Sequence, residues 1–263
     1  MTEENRKPDP MPPKSLIVPS CELAPAIAFT WLKAGWADFR SAPKLSLIYG
    51  FIVFLISVVL AWLAWVLGGY VLLISALSGF VFIAPLLAFG LYSVSRQLCQ
   101  GKTPDLGHTI RAIKKPLGNS MIFTLVLLVL FLLWARAGMM VQVFFPYGKD
   151  PEWNHIATFL LIGSAVGSIF ASISFAASVF SLPMLANRDV DVITAVISSI
   201  NAVLRNKPAM VVWALLISTL TILGILTAGI GLIVIIPWLA YATWHGYRDG
   251  LDVSGWPVLP SED

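Results

Sequence analysis

The side chains that could carry out acid–base or metal chemistry are few in this chain and lie far apart. Its three histidines are His108, His155 and His245. The pattern of apolar runs places His155 on the outer side of a membrane and the other two on the inner side, about 30 Å away across the hydrocarbon. No HExxH, phosphate-binding or GxSxG motif occurs. The sequence therefore predicts no enzymatic activity, no metal site and no cofactor.

The remaining reactive side chains favour structural roles. Asp189 and Asp191 form a close acidic pair ahead of a helical stretch, where carboxylates commonly cap helices. Cys21 and Cys99 form neither a CxxC pair nor a disulfide framework. No Asp, Glu, Lys or His lies near the middle of an apolar run, and Arg136 is close enough to one end to reach water. Because ion-coupled transporters usually place ionisable groups at membrane depth, this pattern counts against ion pumping.

The composition is that of an integral membrane protein. Hydrophobic residues make up 58% of the 263 residues and charged residues only 12%, whereas a soluble domain carries about 25% charged residues. A spanning helix needs about 20 apolar residues. The runs near that length lie at 45–66, 70–95, 117–140, 156–186, 209–227 and 229–247. The sequence therefore predicts six transmembrane helices.

Short connections pair these helices into hairpins. LGGY at 67–70 joins the first two runs and TAGIG at 227–231 joins the last two, with glycines that permit a tight turn. The third and fourth runs form the middle hairpin. A segment with basic residues precedes each hairpin and ends at Pro43, Pro116 or Pro208. We therefore expect an all-α membrane protein of three repeated hairpins, each preceded by an amphipathic helix on the cytoplasmic side.

Two of the amphipathic segments show a clear apolar face. In the first, Leu32, Trp36 and Phe39 share one side of a helix. In the third, the aliphatic residues at helical spacing are Ile193, Val196, Ile197, Ile200 and Leu204. Both segments are expected to lie at the membrane interface.

Charge and composition divide the chain and orient it. Residues 1–20 are polar and proline-rich, which predicts a disordered N-terminal tail. Residues 21–250 form the predicted six-helix domain, and residues 251–263 form a C-terminal tail. Every Lys and Arg except Arg136 and Lys149 falls on one side of this topology, which predicts that both termini are cytoplasmic. These basic residues should meet anionic lipid headgroups and not nucleic acid.

A proline recurs inside three of the apolar runs, in the tetrapeptides PLLA, PMLA and PWLA. Pro85, Pro183 and Pro237 each free a carbonyl one turn earlier and kink the helix. The kinks either form a cytoplasmic-side cavity or hinge, or only let the helices splay toward their amphipathic partners. Tyr92 and His245 lie in the polar stretches that follow two of these motifs. An interfacial aromatic belt accounts for both, and His245 could instead titrate near neutral pH or contact a ligand.

The fourth apolar run carries small residues at every fourth position, Gly163, Gly167 and Ala171. This spacing lets helix backbones approach closely. We predict that this helix packs centrally or forms an oligomer seam. The alternative is a conduit lined by small residues.

Three segments resemble a family of uncharacterised bacterial integral membrane proteins. They are AFTWLKAGWADFRSAPKLSLIYG, FIAPLLAFGLYSVSRQL and IIPWLAYATWHGYRD, and the resemblance covers most of residues 25–250. It implies a protein of the bacterial inner membrane, and some family members are labelled as a cytochrome c oxidase subunit. A catalytic oxidase subunit needs more histidines, clustered in helices, than this chain has. An accessory or assembly role is compatible with that label.

Together these features favour a multi-pass inner-membrane protein with a non-enzymatic accessory or scaffold role. Its partners would be the lipid bilayer and either a membrane-protein complex, such as a respiratory oxidase, or further copies of the chain. The alternative is a transporter or lipid-handling protein that uses a cytoplasmic-side cavity at the kinked helices.

Overall fold

A computed structural model describes residues 16–67, 87–109, 117–144 and 153–259. These residues are mostly helical, and their β-structure is limited to two isolated bridges. In chain order the helices are α1 (Ile27–Ser41), α2 (Pro43–Leu67), α3 (87–99), α4 (Leu117–Phe144), α5 (Trp153–Ser178), α6 (Ser181–Asn187), α7 (Val192–Arg205), α8 (Lys207–Leu226) and α9 (Leu232–Gly250). The predicted all-α class is confirmed.

Four helical segments in the described ranges are long and apolar enough to cross a membrane. They are Pro43–Leu63, Met121–Met140, Leu161–Asn187 and Lys207–Leu226. They coincide with the first, third, fourth and fifth predicted runs, because an uninterrupted apolar composition is what crossing a bilayer requires. The second run lies largely outside the described residues. The sixth forms α9, whose C-terminal half is rich in aromatic and polar side chains, and six crossings therefore stay a prediction.

Proline and aspartate set the starts of three helices. Pro43 is the first residue of α2, and Pro208 lies in the first turn of α8. Neither position costs a hydrogen bond, since the first N–H groups of a helix have no intrahelical partner. Asp191 caps α7, and its carboxylate accepts a hydrogen bond from the Thr194 N–H at 2.9 Å. The capping role predicted for Asp191 is confirmed, whereas Pro116 lies outside the described residues.

Helix α1 packs along α9. The buried residues of α1 include Ala28, Trp31, Gly35 and Phe39. At Gly35 an added Cβ would lie 2.6 Å from the backbone nitrogen of Ala242, so only glycine allows the two backbones to come this close. Trp31 also stands edge-on to Trp213 of α8, with 5.6 Å between the ring centroids. Protein contacts therefore hold α1 along a whole face.

The proline of α9 accounts for a second close contact. Pro237 has no N–H, so the carbonyl of Ile233 one turn earlier loses its intrahelical donor. That carbonyl lies against Gly50 of α2, where an added Cβ would overlap it. The freed carbonyl therefore faces protein, as a proline kink in an apolar environment requires.

The described parts of both predicted tails contact the helical domain. Val18 is fully buried, and its N–H donates to Ser198 Oγ of α7 at 2.9 Å. Ser20 pairs with Leu251 in one of the two isolated bridges. The N-terminal and C-terminal segments therefore lie side by side, against α7 and at the end of α9.

Helix α7 joins two regions of the molecule. It contacts α4, α5 and α6 on one side and α8 on the other. Its Ser199 Oγ donates to the carbonyl of Ala176 in α5 at 2.7 Å. Helices α4 and α5 pack against each other, and among the described helices their main other partners are α6 and α7 and not α1 or α9.

Candidate functional site

Polar side chains from three helices meet at Asp38. The Ser95 hydroxyl of α3 donates to Asp38 Oδ2 at 2.6 Å, and His245 Nε2 of α9 lies 2.9 Å from the same oxygen. The side chains of His245 and Asp38 are 20% and 13% exposed, so the group is largely shielded but in contact with solvent. Asp38, Ser95 and His245 are called the polar cluster below.

The helical repeat explains why Asp38 of α1 and His245 of α9 lie on the sides of these helices that meet. Asp38 lies on α1 next to Phe39 and three residues after Gly35, so it borders the face that packs on α9. On α9, Tyr241, His245 and Arg248 follow one another at helical spacing and share a face. One stripe of α9 therefore points toward three different helices.

The other members of this stripe also find partners. Tyr241 OH lies 2.8 Å from Ser46 Oγ of α2. Arg248 Nη1 donates to Cys99 Sγ of α3 at 3.0 Å. Together with His245, these contacts attach α9 to α1, α2 and α3. The stripe is thus a set of cross-links among helices that are distant in the sequence.

Two indoles strengthen the contact between α1 and α9. Trp31 Nε1 donates to Asp249 Oδ2 at 2.8 Å, and Trp238 Nε1 donates to the Leu32 carbonyl at 2.7 Å. Each bond runs between the two helices, from adjacent residues of α1 to residues about three turns apart on α9. A buried indole N–H usually finds such a partner, because leaving it unpaired costs free energy.

The polar cluster contains the residue types of a serine hydrolase triad in a different arrangement. A nucleophilic serine needs a histidine that accepts its proton. Here the Ser95 hydroxyl donates to the carboxylate, and His245 contacts that same carboxylate. Within the described residues, no group of three or more His, Cys, Asp or Glu side chains could hold a metal ion. The geometry therefore fastens helices and offers no activated nucleophile.

The arginine beside the polar cluster is also tied to the protein. Arg96 Nη1 donates to the Ala186 carbonyl at the end of α6, at 3.3 Å. Burial lowers the pKa of Arg96, but an arginine remains protonated at physiological pH. This contact adds α6 to the helices joined near Asp38.

A groove of about 430 Å³ lies between α4 and α5. Its lining includes Leu127, Phe131, Trp134, Gly167, Ala171 and Ser174. An added Cβ at Gly167 would come no closer than 3.7 Å to Trp134 Nε1, and at Gly163 it would meet nothing within 4 Å. Two of the three predicted packing residues therefore line an open apolar groove, and a close helix contact at this stripe stays a prediction.

Comparison with known sequences finds a family match in the middle of the chain. Residues 72–187 match the family described as Predicted integral membrane protein (DUF2189). The middle of the chain is therefore similar to the DUF2189 family. The match confirms the resemblance to an uncharacterised family of membrane proteins, and its description mentions no oxidase. No curated protein and no solved structure matches the chain.

The matched segment contains α3, α4, α5 and α6, and Ser95 of α3 is its one member of the polar cluster. The other two members, Asp38 and His245, come from outside it. All three lie in the sequence segments that carry the resemblance, AFTWLKAGWADFRSAPKLSLIYG, FIAPLLAFGLYSVSRQL and IIPWLAYATWHGYRD. The fold therefore brings those three segments together at one place.

The described residues among those predicted to border a cavity lie in three different helices, α3, α6 and α9. Pro85, within the matched segment, lies outside the described residues. Pro183 is buried in α6, just after the break between α5 and α6. Pro237 is buried in α9, and Tyr92 is buried in α3 with its ring stacked on Trp244 of α9, 6.3 Å between centroids. Tyr92 and His245 thus share the α3–α9 contact, and a cavity at the three prolines stays a prediction.

Sequence reasoning missed the residues that hold this site together. Asp38 was not singled out, because a single carboxylate in an amphipathic helix looks like a solvated charge. Gly35 and Gly50 were not singled out either, since neither belongs to a repeated small-residue pattern. The available signal was that both glycines stand beside aromatic residues, in AGW and IYG.

Proposed function

We propose that this chain is a non-enzymatic scaffold or accessory protein of the bacterial inner membrane. The observation that supports this proposal is the polar cluster, whose side chains bond to one another across three helices. In a catalytic triad the serine gives its proton to the histidine, whereas here Ser95 and His245 both contact the Asp38 carboxylate. Side chains that hydrogen-bond to one another across helices hold those helices in a fixed arrangement. A docking partner needs such a fixed surface.

We propose that the chain crosses the membrane six times, as three hairpins with both termini in the cytoplasm. The four apolar spans supply four crossings, and the run at 70–95 and α9 supply the others. The tight turn between α8 and α9 supports the last hairpin: Ala228 and Gly229 adopt positive φ angles of 54° and 81°. Reporter fusions at 67–70 and near residue 150 should lie outside the cytosol, and a cytosolic signal at either place would overturn this topology.

The groove between α4 and α5 is the proposed contact surface. Its partner would be another membrane protein, such as a respiratory oxidase, or a second copy of this chain. Small residues on its α5 side allow a foreign helix to approach closely. The test is native-tag purification from membranes in a mild detergent. Wild-type protein should enrich a partner, and the groove-filling change Gly167→Leu should abolish that enrichment. Ile169→Val is the matched control, since Ile169 is exposed on the same helix and is not part of the groove lining.

A protein that runs alone, with no partner enriched, would contradict the scaffold role. In that case the apolar groove favours the second candidate, a lipid-handling protein, because its lining would accept an acyl chain. Native mass spectrometry would then show a lipid that survives purification with wild-type protein and is lost with Gly167→Leu. A lipid-free wild-type protein would remove the support for this candidate.

A further inference from the structure

Helix α7 turns its apolar side chains outward. Ile193, Ile197 and Leu204 are 67%, 39% and 57% exposed, and they follow one another along a single helical face. These are residues of the stripe that the sequence places on an amphipathic helix. A helix on a water-soluble protein would bury this stripe against the core.

The opposite face of α7 is small and polar, and it is buried. Its buried residues include Thr194, Ala195, Ser198, Ser199 and Ala202. Ser198 and Ser199 both accept hydrogen bonds from other parts of the chain, from the Val18 N–H at 2.9 Å and the Phe180 N–H at 3.1 Å. These bonds fix the rotation of α7 about its axis, so the aliphatic residues cannot turn inward.

We infer that α7 lies within the inner leaflet, with its aliphatic face in the acyl chains and its C-terminal end at anionic phospholipid headgroups. The outward stripe runs on into the apolar surface of α8, where Val211 and Leu215 are 58% and 61% exposed. A single residue separates the two helices, so α7 leads directly into a helix long and apolar enough to span the membrane.

Charge complementarity selects anionic headgroups at the C-terminal end. Arg205 closes α7 and Lys207 opens α8, both are exposed, and neither forms an ion pair within the described residues. The other end carries the exposed carboxylates of Asp189 and Asp191. An anionic leaflet attracts the basic end and repels the acidic end. Arg205 and Lys207 can therefore contact the lipid phosphates, while the carboxylates at the other end face water.

This inference rests on the membrane placement proposed above and is independent of the scaffold role. Its test is spin labelling of the full chain, carrying Cys21→Ser and Cys99→Ser, in phosphatidylcholine–phosphatidylglycerol nanodiscs. Single labels replace Ile193, Ile197 and Leu204 through cysteine substitutions. Oxygen, which concentrates in hydrocarbon, and a water-soluble nickel chelate report the surroundings of each label. Val211→Cys on α8 is the lipid control, and Ser254→Cys, at an exposed position, is the aqueous control.

We expect the three α7 labels to collide often with oxygen and rarely with nickel, as the Val211 label does. Nickel collisions at the level of the Ser254 label would overturn the inference while the Val211 control keeps the membrane placement intact. Low collision with both reagents would mean that protein covers this face, which also overturns it. If the Val211 label is itself aqueous, the membrane placement fails first.

The headgroup contact has a separate test. Native mass spectrometry of protein released from mixed nanodiscs measures how much phosphatidylglycerol it retains relative to phosphatidylcholine. Removing one basic residue near an anionic surface should weaken the preference about fivefold, so Arg205→Gln and Lys207→Gln should each show that loss. Ser254→Gln is the control, since Ser254 is also exposed but carries no charge. Equal retention by all three variants would contradict a headgroup site at the end of α7.

Discussion

The contacts of α9 with α1 and α2 use small residues in the opposite way to the α4–α5 pair. At Gly35 and Gly50 the glycine is the reason that two backbones touch, and a Cβ at either position would meet backbone atoms. At Gly163 and Gly167 a Cβ would be accommodated without conflict, and Gly167 lines a groove. The first region also carries hydrogen bonds between side chains, whereas the second is joined mainly by apolar side chains.

This difference separates the region held by internal contacts from the region whose surface is open to lipid or to a partner. The α1–α9 region uses its small and polar residues for contacts between its own helices. The α4–α5 region leaves an apolar surface open to lipid or to a partner. A small-residue repeat in the sequence therefore marks a surface here, and isolated glycines beside aromatic residues mark the closest packing.

The largest expected effect comes from closing the space at the α2–α9 contact. In Gly50→Ala the new methyl group would overlap the Ile233 carbonyl, which is backbone and cannot rotate away. Overpacking of this kind costs about 3 kcal/mol. Thermal unfolding in detergent, followed by size-exclusion chromatography, should show a large loss of folded protein. Unfolding at the wild-type temperature would contradict the described approach of α2 to α9.

Removing the centre of the polar cluster should have the next largest effect. Asp38→Ala leaves Ser95 and His245 without their shared acceptor, and hydrogen bonds to a charged group contribute about 2 kcal/mol. The same thermal unfolding measurement applies, with the exposed Asp189→Ala as the matched control. In a double-mutant cycle, His245→Ala should cost clearly less in the Asp38→Ala background than in wild type. Additive losses would mean that Asp38 and His245 do not interact.

Helix α7 connects the two regions, and its cap predicts a pH dependence. Burial raises the pKa of Asp191, but the hydrogen bonds from Thr194 outweigh it, and the pKa is lowered overall. A lowered pKa in the folded state means that the carboxylate stabilises the fold at neutral pH. That stabilisation is lost as the pH falls below the ordinary aspartate range and through the folded-state pKa.

The cap is worth about 1 kcal/mol, so Asp191→Ala should destabilise the protein by that amount at pH 7. Unfolding measured from neutral to acidic pH should show the gap between wild type and Asp191→Ala narrowing only at the acidic end. A gap that stays constant across the range would show that the charge of Asp191 plays no part. Asp189→Ala is a suitable control, because Asp189 is exposed and is not the residue that caps α7.

The smallest effect is expected in the open region. Gly163→Ala adds a methyl group that meets nothing within 4 Å, and alanine is favoured over glycine inside a helix by about 1 kcal/mol. The variant should therefore be as stable as wild type or slightly more so in the same unfolding assay. A loss comparable to that of Gly50→Ala would show that another helix packs tightly against Gly163 and would remove the contrast between the two regions.

Hydropathy was enough to place the four candidate spanning helices. Helix-start and capping preferences were enough to place the cap at Asp191 and the starts at Pro43 and Pro208. These features depend only on local composition and on residues close in the sequence, so they can be predicted without knowing the fold. The stripe on α7 was also visible, but its direction was not, because an apolar face points inward on a soluble protein and outward in lipid. Only the surrounding contacts of Ser198 and Ser199 decide between the two.

The α1–α9 contact was not predictable for a different reason. Asp38 and His245 are more than 200 residues apart, and nothing in either local segment specifies the other. The apolar face predicted for α1 contained Leu32, Trp36 and Phe39, whereas the buried residues include Trp31 and Gly35. Hydrophobic periodicity ranks side chains by size and apolarity, and it overlooks a glycine whose value lies in close approach.

Hydrogen–deuterium exchange of α1 tests the central claim most directly, namely that α1 is fastened to α9 and does not merely rest on the lipid surface. In nanodiscs, amides 30–40 should exchange nearly as slowly as those of α9 at 238–248, and Asp38→Ala should speed exchange in α1 while leaving α5 unchanged. Rapid exchange of wild-type α1, at the rate of the exposed connection at 100–104, would contradict the account.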